Sequence, residues 1–123
     1  MFQGNIKRLA KDNTNFRHVL YTGTYSQLVL MSLAPGEDIG EEIHPNTDQM
    51  LFVADGEGLA TVDGSSYEIE KHAVVCVPAG SRHNIKNTGD EDLKLYTMYA
   101  PPAHVDGAIH VTKEDAERQE NVW

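Results

Sequence analysis

Glu42, His44, Gln49 and His83 are the side chains whose types and spacing could do metal chemistry in this sequence. Glu42 and His44 are two residues apart, and in an extended strand such neighbours share a face, so a carboxylate and an imidazole can enter one interior together. Gln49 follows the turn-forming run Pro45-Asn46-Thr47-Asp48 and opens a stretch whose face continues through Leu51 and Val53. His83 comes shortly after Pro78-Ala79-Gly80 and heads the alternation His83, Ile85, Asn87. One imidazole beside a carboxylate, joined by a second imidazole from a distant strand, suits a hard or borderline divalent metal. Taken alone, each histidine reads as an ordinary packed or surface residue; the chemistry lies in the combination.

The elements that must position these residues are short strands. Turn signals recur at Tyr21-Thr22-Gly23, Ala34-Pro35-Gly36, Asp55-Gly56-Glu57-Gly58, Asp63-Gly64, Pro78-Ala79-Gly80 and Asn87-Thr88-Gly89-Asp90. Between them, Tyr25–Leu33, Gln49–Val53, Leu59–Val62, Ser66–Glu70, Val74–Val77, Arg82–Asn87 and Leu93–Tyr99 are rich in β-branched, aromatic and aliphatic residues. Asp63-Gly64 carries the two-residue signature of a tight hairpin. This pattern predicts an all-β antiparallel sandwich or barrel. Pro101-Pro102 ends the last strand, and Thr112, with an acidic residue three positions on at Asp115, predicts a helix N-cap opening a short helix to about Glu120.

A chain of 123 residues, 40% hydrophobic, fits one domain spanning 1–123 with one core. The longest apolar runs, Met50 to Ala54 and Ala73 to Val77, are five residues each, too short for a membrane-spanning helix. With no signal-peptide pattern at the start, a cytoplasmic location is expected. The net charge of −9 argues against nucleic-acid and anionic-membrane surfaces, which need clustered Lys and Arg. From His18 to Glu70 there is no Lys or Arg but ten carboxylates, a field that attracts cations and repels polyanions. The single Cys76 excludes an intrachain disulfide and is expected to pack as a small core hydrophobe.

The candidate donors fall into two motifs that resemble those of the cupin superfamily. The first reads Gly36, five residues, Glu42-Ile43-His44, four residues, Gln49, six residues, Gly56; the second reads His72, five residues, Pro78-Ala79-Gly80, two residues, His83, three residues, Asn87. Glu57 to Lys71 between them match the short spacer of single-domain microbial cupins. The resemblance covers about Tyr25 to Ala100 and implies a double-stranded β-helix, the jelly-roll barrel, with a metal in its mouth. Three positions depart from the family pattern. Glu42 stands for the first His, Gln49 for the Glu and His72 for the opening Gly, a change expected to affect only a turn. The family's three imidazoles and one carboxylate thus become two imidazoles, one carboxylate and one carboxamide, at unchanged formal charge.

That set implies a mononuclear divalent cofactor, with Fe, Mn or Zn preferred and Ni or Co possible. The function expected is an enzyme acting on a small oxygenated organic substrate, by dioxygenase, isomerase or uronate-type chemistry; the alternative is a sensor cupin that binds a small molecule without turning it over. Tyr96, Tyr99 and His104 are the candidate catalytic residues. Tyr96 and Tyr99 fall on opposite strand faces, so at most one lines the pocket. His104 is read as a surface residue unless the tail folds back over the barrel mouth. The pocket is expected to be lined by Leu51, Val53 and Ile85, with few cationic groups in reach, since Arg82 should face outward. Open sheet edges and an apolar outer face around Met50 and Phe52 predict a homodimer.

Overall fold

A computed structural model of the chain describes residues 1–120. Twelve elements follow one another: helix α1 (Ile6–Asp12), strands β1 (Arg17–Thr22), β2 (Gln27–Leu33), β3 (Glu42–Ile43), β4 (Asp48–Asp55), β5 (Glu57–Val62), β6 (Ser65–Glu70), β7 (Val74–Val77), β8 (Arg82–Asn87), β9 (Leu93–Ala100), β10 (Ile109–His110), and helix α2 (Lys113–Glu120). Six strands form one sheet in the order β10-β1-β2-β9-β4-β7, and four form a second in the order β3-β8-β5-β6. All the strand pairings are antiparallel. The two inner faces close on one core that includes Val29, Met31, Leu51, Val53, Ile85, Leu93 and Leu95.

The strand β9 shows how the sequence dictates this. Leu93, Leu95, Thr97 and Tyr99 are buried in alternation with half-exposed Lys94, Tyr96, Met98 and Ala100, the period-two pattern of a strand with one face inward. β2 lacks that alternation because both its faces are covered. Its outer side, at Leu30, meets Ala10 of α1, with Ile6, Leu9 and Tyr96 packed alongside. Helix α1 is absent from the sequence reading although its signals are present. Asn5 caps it, its side-chain oxygen accepting from Arg8 N at 3.0 Å, and Ile6, Leu9 and Ala10 have helical spacing. β1, β3 and β10 are likewise additions to the expected strands.

The turns behave as their residues require. Asp63 and Gly64 take φ of 49° and 86°, and Val62 pairs with Ser65, a two-residue hairpin with both central residues at positive φ. Gly56 has φ 92°, and a Cβ there would lie 2.8 Å from the Asp92 carbonyl oxygen. His72, standing where the family motif has Gly, adopts φ 78° and is exposed, so the turn is retained by a residue that fits it poorly. Helix α2 begins at the expected cap. Asp115 N donates to Thr112 Oγ1 at 3.1 Å, and Thr112 N donates to Asp115 Oδ2 at 3.3 Å. Cys76 is a correction: it lies exposed on the edge strand β7, because its neighbours Val75 and Val77 take the inward phase.

Candidate functional site

The two motifs are sewn together by backbone amides of the second motif and by strand pairing. Gly80 N donates to the His44 carbonyl at 2.9 Å, Ala79 N donates to Asp48 Oδ1 at 2.9 Å, and Glu42 lies opposite His83 in the β3–β8 register. Asn87, fully buried, donates to the carbonyls of Leu33 and Glu91 at 2.9 and 2.8 Å, so it is a structural clamp for the end of β8. These bonds bring the rings of His44 and His83 to 5.4 Å between centroids. His44 Nε2 stands 3.5 Å from Glu42 Oε2.

Side chains behind these residues set which atoms they present. The His83 Nδ1–H donates to the Ser81 carbonyl at 3.1 Å, which leaves Nε2 as the lone-pair nitrogen. The Gln49 amide donates to Thr97 Oγ1 and to the Tyr99 hydroxyl, each at 3.1 Å, so both its hydrogens are used and its oxygen is turned the other way. His44 Nε2, His83 Nε2 and Gln49 Oε1 are buried with no hydrogen-bond partner. Burial, with His83 and then Arg17 adding to it, lowers the His44 pKa to about 4, so its imidazole is neutral at physiological pH. Among the described residues no three His, Cys, Asp or Glu side chains already stand together as a preformed metal site. The donor chemistry nonetheless fits one: two imidazoles, an amide oxygen held from behind, and one carboxylate.

The remaining candidates separate cleanly. Tyr99 is buried beside the donors, its ring edge-on to His44 at 5.5 Å. Tyr96 is on the outer face, stacked on Phe52 at 4.9 Å, and takes no part in the site. His104 is not a surface residue, because the tail after β9 folds back over the mouth. Its ring lies 4.8 Å from Tyr99 and 6.2 Å from His44. Burial first, then Arg17, His44 and His110, pushes its pKa down to about 3. The tail is held by Gln27, whose Oε1 accepts from Ala103 N and His104 N while its Nε2 donates to the His104 carbonyl and to Thr22 Oγ1.

The cavity itself corrects the sequence reading. Leu51, Val53 and Ile85 belong to the core; the open pocket, about 610 Å³, is lined by Arg17, Glu42, His44, His110, Gln119 and tail residues Pro102 to Val105. A cation is therefore within reach: Arg17, 2% exposed, places Nη2 4.0 Å from Glu42 Oε1. Arg82 does face outward, paired with Glu41 at 2.5 Å. Arg17 escapes a sequence reading because an arginine at the start of a short strand looks like a solvated end. The available signal was its phase, since Arg17 and Val19 share a face.

Two antiparallel sheets enclosing one core, with ligand-capable side chains gathered at one mouth, define a small jelly-roll barrel. The chain belongs to the cupin domain family, whose model matches residues 29–99. It is 46% identical over 121 residues to YrkC, an uncharacterized protein of Bacillus subtilis (strain 168), a match covering 94% of this chain and 65% of that protein. The crystal structure of BH2720 from Bacillus halodurans superposes with a TM-score of 0.94 at 43% identity, covering 95% of this chain and 93% of that one. A 5-nitrosalicylic acid 1,2-dioxygenase of Bradyrhizobium is 31% identical over 65 residues, covering 53% of this chain and 31% of the enzyme. No helix among the described residues is long and apolar enough to cross a membrane.

Proposed function

We propose that the chain binds one divalent metal ion through Glu42, His44, Gln49 and His83 and acts as an enzyme on a small oxygenated organic substrate. The observation that carries this reading is the set of buried atoms without partners, His44 Nε2, His83 Nε2 and Gln49 Oε1. Leaving such an atom unsatisfied costs about 1–3 kcal/mol, and a divalent cation held between these side chains would satisfy them. The groups behind them act in the same sense: Ser81 fixes the His83 tautomer, and Thr97 with Tyr99 turns the Gln49 oxygen. Fe, Mn or Zn suits this donor set, with Ni or Co as further occupants.

When bound, the ion would supply a Lewis acid that polarises or chelates an oxygenated ligand. The chain's own part is to hold His44 neutral by burial, to orient Gln49 from behind, and to wall one side of the pocket with the tail that carries His104. Glu42 is the one carboxylate among the four donors, so proton transfer at the site depends on it or on residues of the tail. The dioxygenase relative supports the enzyme class.

Metal stoichiometry by plasma mass spectrometry on protein purified without added metal tests this reading, followed by a substrate screen with the identified metal restored. Occupancy should fall in the order Gln49→Ala, then His44→Ala and His83→Ala, then Glu42→Gln, with circular dichroism showing all four folded. Glu42 ranks last because its loss leaves a dication facing neutral donors near the Arg17 guanidinium, in an interior where charge is poorly screened. Gln49→Ala loses only a neutral oxygen that water can replace. Full occupancy in Glu42→Gln with an empty Gln49→Ala would overturn the charge argument, and a metal-free wild-type chain after iron, manganese and zinc supplementation would overturn the reading.

A further inference from the structure

The family-matched segment, 29–99, carries the four donors, yet the cavity beside them is built mainly from outside it. Arg17 of β1 and His110 of β10 are directly opposite in register, so their side chains emerge side by side on one face. Both line the cavity, as do Pro102, Ala103 and Val105 of the tail. Arg17 is the one Lys or Arg among the described lining residues, set in a chain of net charge −9. A guanidinium presents five donors in a fixed fork that matches a carboxylate. His110 Nε2 meets Gln119 Oε1, so Nδ1 is the ring nitrogen left for another partner. That nitrogen is buried without a hydrogen-bond partner on a residue 7% exposed. Its complement is a hydroxyl. Pro102, Ala103 and Val105 add an apolar wall.

We propose that this cavity is a subsite for a small 2-hydroxy carboxylate with an apolar body, its carboxylate on Arg17, its hydroxyl donating to His110 Nδ1 and its body against the tail. The inference rests on reading the cavity as the substrate end of the metal centre, from which Glu42 and His44 form the shared wall. A single carboxylate fits better than a polyanion, which the surrounding negative charge repels. The apolar wall selects against a small, fully polar acid of the same charge.

Calorimetric titration of the purified chain with mandelate, mandelamide and phenylacetate tests it, run on protein as purified and again after EDTA treatment. Mandelate is expected to bind at least roughly tenfold more tightly than mandelamide, which lacks the charge, and about fivefold more tightly than phenylacetate, which lacks the hydroxyl. Arg17→Met should abolish the preference over mandelamide, and His110→Phe the preference over phenylacetate, with metal content unchanged in His110→Phe and not lowered in Arg17→Met, which removes a cation from beside Glu42. If Arg17→Met does not fold, Arg17→Lys keeps the charge without the fork and should lose about tenfold in mandelate affinity. Equal binding of mandelate and mandelamide, a preference over mandelamide that survives Arg17→Met, or an undiminished mandelate affinity in Arg17→Lys overturns the subsite. A chain that takes up no metal yet prefers mandelate through Arg17 sinks the metal reading and leaves the subsite standing. A metal-loaded chain that binds none of the three probes does the reverse.

Discussion

Position 72 holds a residue in a conformation that suits another. At φ 78° the His72 Cβ crowds the backbone, a cost of about 1–2 kcal/mol for an L side chain, while the side chain is exposed and returns little packing. Glycine removes that crowding but adds about 0.5–1 kcal/mol of unfolded-state freedom. His72→Gly should therefore stabilise the chain by about 0.5–1 kcal/mol, read as a higher urea midpoint with an unchanged slope. A second expectation concerns the buried imidazoles. His44 and His104 have pKa values lowered from 6.5 to about 4 and about 3. Their folded forms refuse a proton that the unfolded chain accepts, so their contribution is complete above pH 6.5 and is lost as the pH falls toward those values. Urea midpoints of the EDTA-treated chain should drop between pH 7 and pH 5, and His104→Gln should remove about half of the drop. An unchanged drop in His104→Gln would place the titration elsewhere.

Gln27 organises the tail more than any residue of the tail does. It is buried at the start of β2, and its carboxamide meets Thr22, Ala103 and His104 at once. Gln27→Leu keeps the volume and removes all of these bonds. The expected cost is roughly 2 kcal/mol, with amide hydrogen exchange accelerated across residues 102–110 while β9 stays protected. Uniform acceleration across β9 would show that Gln27 supports the barrel and not the tail. The contrast between this residue and Gln49 explains what was legible in the sequence. The strands carrying Gln49 and His83 announce themselves by alternation and by glycine or proline turns at fixed spacing, so the barrel, the α2 cap and the approach of His44 to His83 could be read directly. Arg17, Gln27 and His110 gain their meaning from partners on distant parts of the chain, His104 being 77 positions from Gln27, and no local period encodes such a pairing. Cys76 failed for the converse reason: a local apolar run suggested burial, but an edge strand with both faces partly open exposes it.

Considered as one body, the molecule has an apolar surface that its own elements only partly cover. Helix α1 shields Leu30, Ala54 and Tyr96 on the outside of the six-stranded sheet, so this part of the face expected to be an interface is already occupied. Met50 remains 36% exposed beside the edge strand β7, where Val74 is 52% exposed. We propose a homodimer formed through this edge. Light scattering at micromolar concentration should report twice 13.6 kDa, and Met50→Arg should shift the population toward the single-chain mass; a 13.6 kDa species across the whole range overturns it. The order in which the cavity wall is drawn from the chain has a consequence for biosynthesis. Arg17 leaves the ribosome early, the donors between Glu42 and His83 next, and Pro102, His104, His110 and Gln119 last. A nascent chain therefore presents Glu42, His44, Gln49 and His83 before the wall that encloses them exists, so on the metal binding proposed above an ion could reach these side chains ahead of the finished pocket.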